Sequence, residues 1–85
     1  DYTINIVEAV PPFADFSYTG DPTVIFTDLS TGDPTSWNWN FGDGGTSVLE
    51  NPNHLYTTNG TFNVCLTVTN GIGSDTHCEN VLIET

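Results

Sequence analysis

Apolar and polar residues alternate with a period of two along much of the chain, and that period predicts strands. The last third is the clearest case. Phe62, Val64, Leu66 and Val68 alternate with Asn63, Cys65, Thr67 and Thr69, Asn70-Gly71-Ile72-Gly73 supplies a turn, and Thr76 to Ile83 returns. From Ser36 to Phe41 the same period puts Trp37, Trp39 and Phe41 on one face and Asn38 and Asn40 on the other. Gly42-Asp43-Gly44-Gly45 then ends the strand. Glycines reach backbone angles closed to other residues, and an aspartate in a turn holds it by accepting backbone N–H bonds.

Weaker patterns fill the remainder. Asp1 to Ala9 reads as a strand, with Tyr2, Ile4 and Ile6 on one face, broken by Val10-Pro11-Pro12. Phe13 to Tyr18 follows, with Ala14, Phe16 and Tyr18 sharing a face. Thr23 to Leu29 buries Val24 and Phe26, and Thr46 to Leu49 is a short strand or edge. Asn53-His54-Leu55-Tyr56 leads into a turn. No window carries a useful helical period. Short strands separated by Gly, Pro, Asn and Asp predict an all-β sandwich. Residues 1–10 resemble the chain's own ending and read as a linker or as the last strand of a preceding repeat, with residues 11–85 forming the sandwich.

The hairpin register makes a sharper prediction. If Asn70 and Gly73 close a two-residue loop, Cys65 falls opposite Cys78 in a non-hydrogen-bonded pair, whose Cα atoms lie about 4.5 Å apart, within disulfide range. Cys65 is out of phase with Phe62, Val64 and Leu66, so the bridge belongs on the outer face. Two cysteines without Cys-X-X-Cys spacing make neither a zinc site nor a redox dithiol, and a disulfide points outside the reducing cytosol.

Charge narrows the range of partners. Eleven acids stand against no Lys or Arg in 85 residues. Phosphate neutralisation needs cations, so nucleic acid is excluded, and anionic membrane surfaces are disfavoured. No apolar run is long enough to insert in a bilayer. The acids are scattered singly, which suits a solubilising surface or, for some of them, divalent cations.

The motifs resemble one family. Trp39-Asn40-Phe41-Gly42-Asp43-Gly44 resembles the W-D-F-G-D-G signature of PKD (polycystic kidney disease) domains. Asn51-Pro52-Asn53-His54-Leu55-Tyr56 is similar to the family's N-P-x-H-x-Y, and Gly60 to Asn70 to its G-x-Y-x-V-x-L-x-V-x-N, with Phe62 in place of Tyr. The resemblance spans about residues 13–84 and is to the bacterial or archaeal surface-protein type. It implies an immunoglobulin-like sandwich of two antiparallel sheets, outside the cell or on its surface. It also implies service as a spacer, or contact with proteins or carbohydrates, often beside secreted hydrolases. Asn40 stands where the family has Asp, which removes a carboxylate beside the turn.

Candidate chemistry is sparse. No nucleophile elbow or EF-hand spacing is present, so a non-enzyme is expected. Calcium is the cofactor to test, with Asp28, Asp33 and Asp43 as loop acids. His54 reads as a packing and hydrogen-bonding residue and His77 as an ordinary strand residue. Asn59-Gly60-Thr61 matches a glycosylation acceptor. Tyr2, Tyr18 and Tyr56 are candidates for stacking on sugars. The expectation is a structural module of a tandem-repeat adhesin or fibre, its partners neighbouring repeats, surface proteins or polysaccharides. The alternative is an accessory protein- or carbohydrate-binding module of a secreted hydrolase, which predicts an exposed aromatic strip and binding to insoluble polymer.

Overall fold

A computed structural model describes residues 10–84. The expected strand over residues 1–9 lies outside them. Seven strands run in chain order: β1 (Phe16–Thr19), β2 (Thr23–Asp28), β3 (Ser36–Asn40), β4 (Thr46–Ser47), β5 (Asn53–Leu55), β6 (Gly60–Thr69) and β7 (Ser74–Ile83). They form two antiparallel sheets, ordered β1-β2-β5 and β4-β3-β6-β7. This is the immunoglobulin-like sandwich, and the period-two residues meet between the sheets.

The hairpin closes as its turn chemistry demands. The Asn70 N–H donates to the Gly73 carbonyl at 2.9 Å, and the Asn70 side-chain oxygen accepts the Ile72 and Gly73 N–H groups. Pairing then runs unbroken from Thr69↔Ser74 to Gly60↔Ile83. Cys65 and Cys78 are register partners with Cα atoms 4.0 Å apart and form a disulfide.

Val24, Phe26, Trp39, Val64, Leu66 and Val68 are wholly shielded from solvent. Trp39 is the hub. Its ring lies 5.0 Å from Phe16 and 5.2 Å from Phe26, and its indole N–H donates to the Leu49 carbonyl at 2.9 Å. A buried indole needs that partner, because an unmet N–H in the core carries its full desolvation penalty. Trp37 is only half-buried, and its indole N–H donates to the Asp28 carboxylate at 3.0 Å. Asn38 and Asn40 face outward.

Two elements differ from expectation. Asn53–Leu55 is a strand, not a lead into a turn. It is too short to show a period, and it joins the sheet through the pairing of Val24 with His54, flanked by Phe26 N–H to Pro52 O and Tyr56 N–H to Pro22 O. The first sandwich strand begins at Phe16 rather than Phe13. Phe13 makes only an isolated bridge to Thr31, and the Asp15 N–H and carboxylate are occupied by Ser30 and by the Phe16 N–H.

The acids are segregated. Asp21, Asp33, Asp43 and Glu50 lie in turns and loops, while Asp75 and Glu79 point inward on β7, opposite Val68 and Val64. Among the described residues, neither outward sheet face carries a charge. The outward face of the larger sheet is Ser, Thr, Asn, the disulfide and Leu82. No helix among the described residues is long and apolar enough to cross a membrane.

Candidate functional site

Two groups of polar side chains are built by the sandwich. The first sits at the glycine turn after β3. Gly42 adopts φ 84°, and a Cβ there would meet the Asn63 backbone at 2.7 Å, so only glycine fits. The turn closes by Phe41 N–H to Gly45 O at 3.0 Å and by Gly45 N–H to the Asp43 carboxylate at 2.9 Å. The other Asp43 oxygen lies 2.7 Å from His54 Nε2. The imidazole of His54 stacks on Phe41, with centroids 4.2 Å apart and planes 13° apart. Tyr56 is buried behind it and donates its hydroxyl to the Phe41 carbonyl at 2.8 Å.

This geometry sets the titration of the two acids. Partial burial alone would push the Asp43 carboxyl up. The hydrogen bonds from His54 and from the Gly45 N–H, with the His54 charge, outweigh it and hold the carboxyl below its ordinary value. The Tyr56 phenol is pushed up to about 12, first by burial and then by the Asp43 charge. The Asp43 shift reflects the contacts that close the turn, and the Tyr56 shift keeps its phenol protonated behind it. Neither aims a base or a nucleophile at open space.

The second group lines the open side of the sandwich, where β1 and β7 face each other across the two sheets. His77 Nε2 lies 2.9 Å from Glu79 Oε2 and 3.8 Å from Asp15 Oδ1. The His77 and Phe16 rings meet edge to face, with centroids 5.5 Å apart. Asp75, on the same face of β7, accepts the Ala14 N–H at 2.8 Å. Reading the chain missed this group. The signal was the imperfect alternation from Thr76 to Ile83: His77 and Glu79 share the parity of Val81 and Ile83, and so point inward.

The candidate calcium acids are not brought together. Asp28 is occupied by the Ser30 N–H and the Trp37 indole, Asp43 by Gly45 and His54, and Asp33 sits in a loop at φ 52°. Among the described residues, the group whose donor atoms converge is Asp15, His77 and Glu79. Of the sugar-stacking candidates, Tyr56 is buried, Tyr18 is 39% exposed, and Tyr2 lies outside the described residues. Asn59 is exposed in the β5–β6 connection. Trp37, Trp39, Phe41, Gly42, Asp43 and Gly44 form the strand and turn as one unit.

These features define an immunoglobulin-like module held by a histidine–aspartate latch over a glycine turn. The chain belongs to the PKD domain family, whose model matches residues 12–84. It is similar to the PKD1 domain of the Vibrio cholerae metalloprotease PrtV in a crystal structure, with TM-score 0.84 and 33% identity, over 89% of this chain and all of that one. The PKD1 domain of Vibrio anguillarum Epp gives TM-score 0.84 and 30% identity, over 91% and 98% of the two chains. In sequence, 49 residues are 45% identical to collagenase ColA of Bacillus cereus, covering 58% of this chain. The chain spans only 5% of the length of ColA, and 6% of the pre-pro-metalloprotease PrtV.

Proposed function

We propose that the chain is a non-catalytic accessory module of a secreted hydrolase, working outside the cell. The observation that carries this reading is the likeness to PKD regions of proteins named as a collagenase and a metalloprotease. It favours the accessory role over the adhesin-array role. The site geometry agrees: Asp43 and His54 are spent on closing a turn, and both cysteines are paired. A disulfide also suits an oxidising compartment.

An aromatic strip for stacking on sugars is absent among the described residues, since the core rings are buried and, of the exposed Phe13 and Tyr18, the Tyr18 ring lies against the core rings Phe16 and Phe26. Contact with substrate therefore falls to the uncharged outward sheet faces, whose Ser, Thr and Asn side chains are joined by the exposed Ile25, Leu55 and Leu82 and suit a neutral protein polymer. The test compares the full-length protein with a form lacking residues 11–85. Deletion lowers the rate on an insoluble protein substrate several-fold and leaves a small soluble peptide substrate unaffected. Equal rates on the insoluble substrate overturn the reading.

A spacer role is the second reading. It is favoured by the Cys65–Cys78 bridge, which holds the long β6–β7 hairpin together when the unit is pulled.

A further inference from the structure

We propose that Asp15, His77 and Glu79 form a binding site for one divalent transition ion of the zinc type, which staples the two sheets across their open edge. The donors are one imidazole nitrogen and two carboxylates, and their ligand atoms all lie within 4.8 Å of one another. A four-coordinate zinc-type ion holds nitrogen and oxygen at about 2.0–2.2 Å, which places neighbouring donors about 3.4 Å apart. The two separations, 2.9 Å from His77 to Glu79 and 3.8 Å from His77 to Asp15, straddle that spacing. The Asp15 Oδ1 that faces His77 also accepts the Phe16 N–H at 2.9 Å, which fixes that carboxylate beside the site.

The surroundings argue in the same direction. His77 and Glu79 take inward positions on β7 opposite Leu66 and Val64, both fully buried, where the strand pattern calls for apolar residues. The imidazole packs against Phe16 and its Nε2 is hydrogen-bonded to the Glu79 carboxylate, so an ion would bind there by displacing the proton between them. Asp15 immediately precedes β1 and the other two donors are on β7, so an ion would tie together the edges of two sheets that no backbone ladder joins. The chain has no Lys or Arg, so no side-chain ammonium or guanidinium can neutralise the pair of carboxylates. The three side chains are 36–45% exposed, which leaves an entry path and room for water as a further ligand. A nitrogen donor in a small set selects zinc-type ions over calcium and magnesium, which prefer oxygen ligands alone and more of them.

The test uses zinc ion and the 85-residue chain after treatment with chelator. Calorimetry finds one equivalent bound, and NMR shows the His77 ring resonances moving while those of His54 stay in place, an internal control within one molecule. The melting midpoint rises with zinc. Glu79→Gln and Asp15→Asn each weaken binding about tenfold, and His77→Gln abolishes it. Calcium at equal concentration leaves the His77 resonances unmoved. Equal movement of both histidines, retention of binding by Glu79→Gln and Asp15→Asn, or displacement of zinc by equimolar calcium overturns the proposal.

Discussion

His54 Nε2 and the Asp43 carboxylate meet at 2.7 Å, and through that contact the Trp-Asn-Phe-Gly-Asp-Gly stretch of one sheet is latched to the Asn-Pro-Asn-His-Leu-Tyr stretch of the other. The imidazole also lies flat on Phe41, and a Cβ at Gly45 would come within 2.7 Å of His54 Cε1. The latch therefore needs the aspartate, the histidine and the empty space at Gly45 together. Asp43→Asn keeps an oxygen for the Gly45 N–H but loses the charge facing His54. It should destabilise the fold by about 1–2 kcal/mol in urea unfolding. A double-mutant cycle with His54→Gln should show coupling between the positions, and strictly additive losses would show the contact to be incidental.

The same carboxylate gives an acid limb. Its folded-state value lies below the ordinary 3.8, so above that value the native state holds the charged form more favourably than the unfolded chain does. The stability is fully present above about pH 4 and is lost as pH falls through the folded value, because there the unfolded chain binds more protons. Unfolding free energy measured from pH 5 down to pH 2 should fall less steeply in Asp43→Asn than in the parent.

Tyr56 gives the opposite limb. Its phenol is raised from 10 to about 12, so between those values the unfolded chain loses a proton that the native state keeps. Fewer protons on the unfolded state means that stability declines as pH rises from 10 towards 12, and is unaffected by this group below 10. Tyr56→Phe removes that decline. It also strands the Phe41 carbonyl, which accepts the buried hydroxyl at 2.8 Å, at a cost of about 1–3 kcal/mol near neutral pH. A Tyr56→Phe variant that keeps the alkaline decline unchanged would assign it to another group.

The two histidines show where reading the chain succeeds and where it stops. A two-residue loop closed by Asn70 and Gly73 determines every pairing up to Cys65 with Cys78, because register in a hairpin propagates from the turn. Trp39, Phe26 and Leu66 were legible for a similar reason: large apolar side chains at period two have one face to bury. His54 was legible as a packing residue, yet its partner was not, since Asp43 lies on the other sheet and no local pattern joins them. The strand around His54 was missed because three residues carry no period. His77 was missed as a partner of Asp15 for the same reason as the latch. Contacts between sheets depend on how the layers stack, and strand patterns say nothing about stacking.

The Cys65–Cys78 bridge lies on the outer face, away from Val64 and Leu66, so removing it should test covalent restraint nearly in isolation. Replacing both cysteines with alanine leaves the inward side chains of β6 and β7 unchanged. The closed loop has about 14 residues, and the entropic account assigns it roughly 3 kcal/mol, which corresponds to about 12–24 °C in melting midpoint for a domain of this size. Backbone amide shifts across β3 and β6 should stay close to those of the parent while the midpoint drops, because the loss acts through the unfolded chain. A midpoint lowered by less than about 4 °C would mean that the hairpin persists in the unfolded ensemble without the bridge. The ten-residue ladder and its Asn70 turn would then supply the restraint that the sulfurs only duplicate.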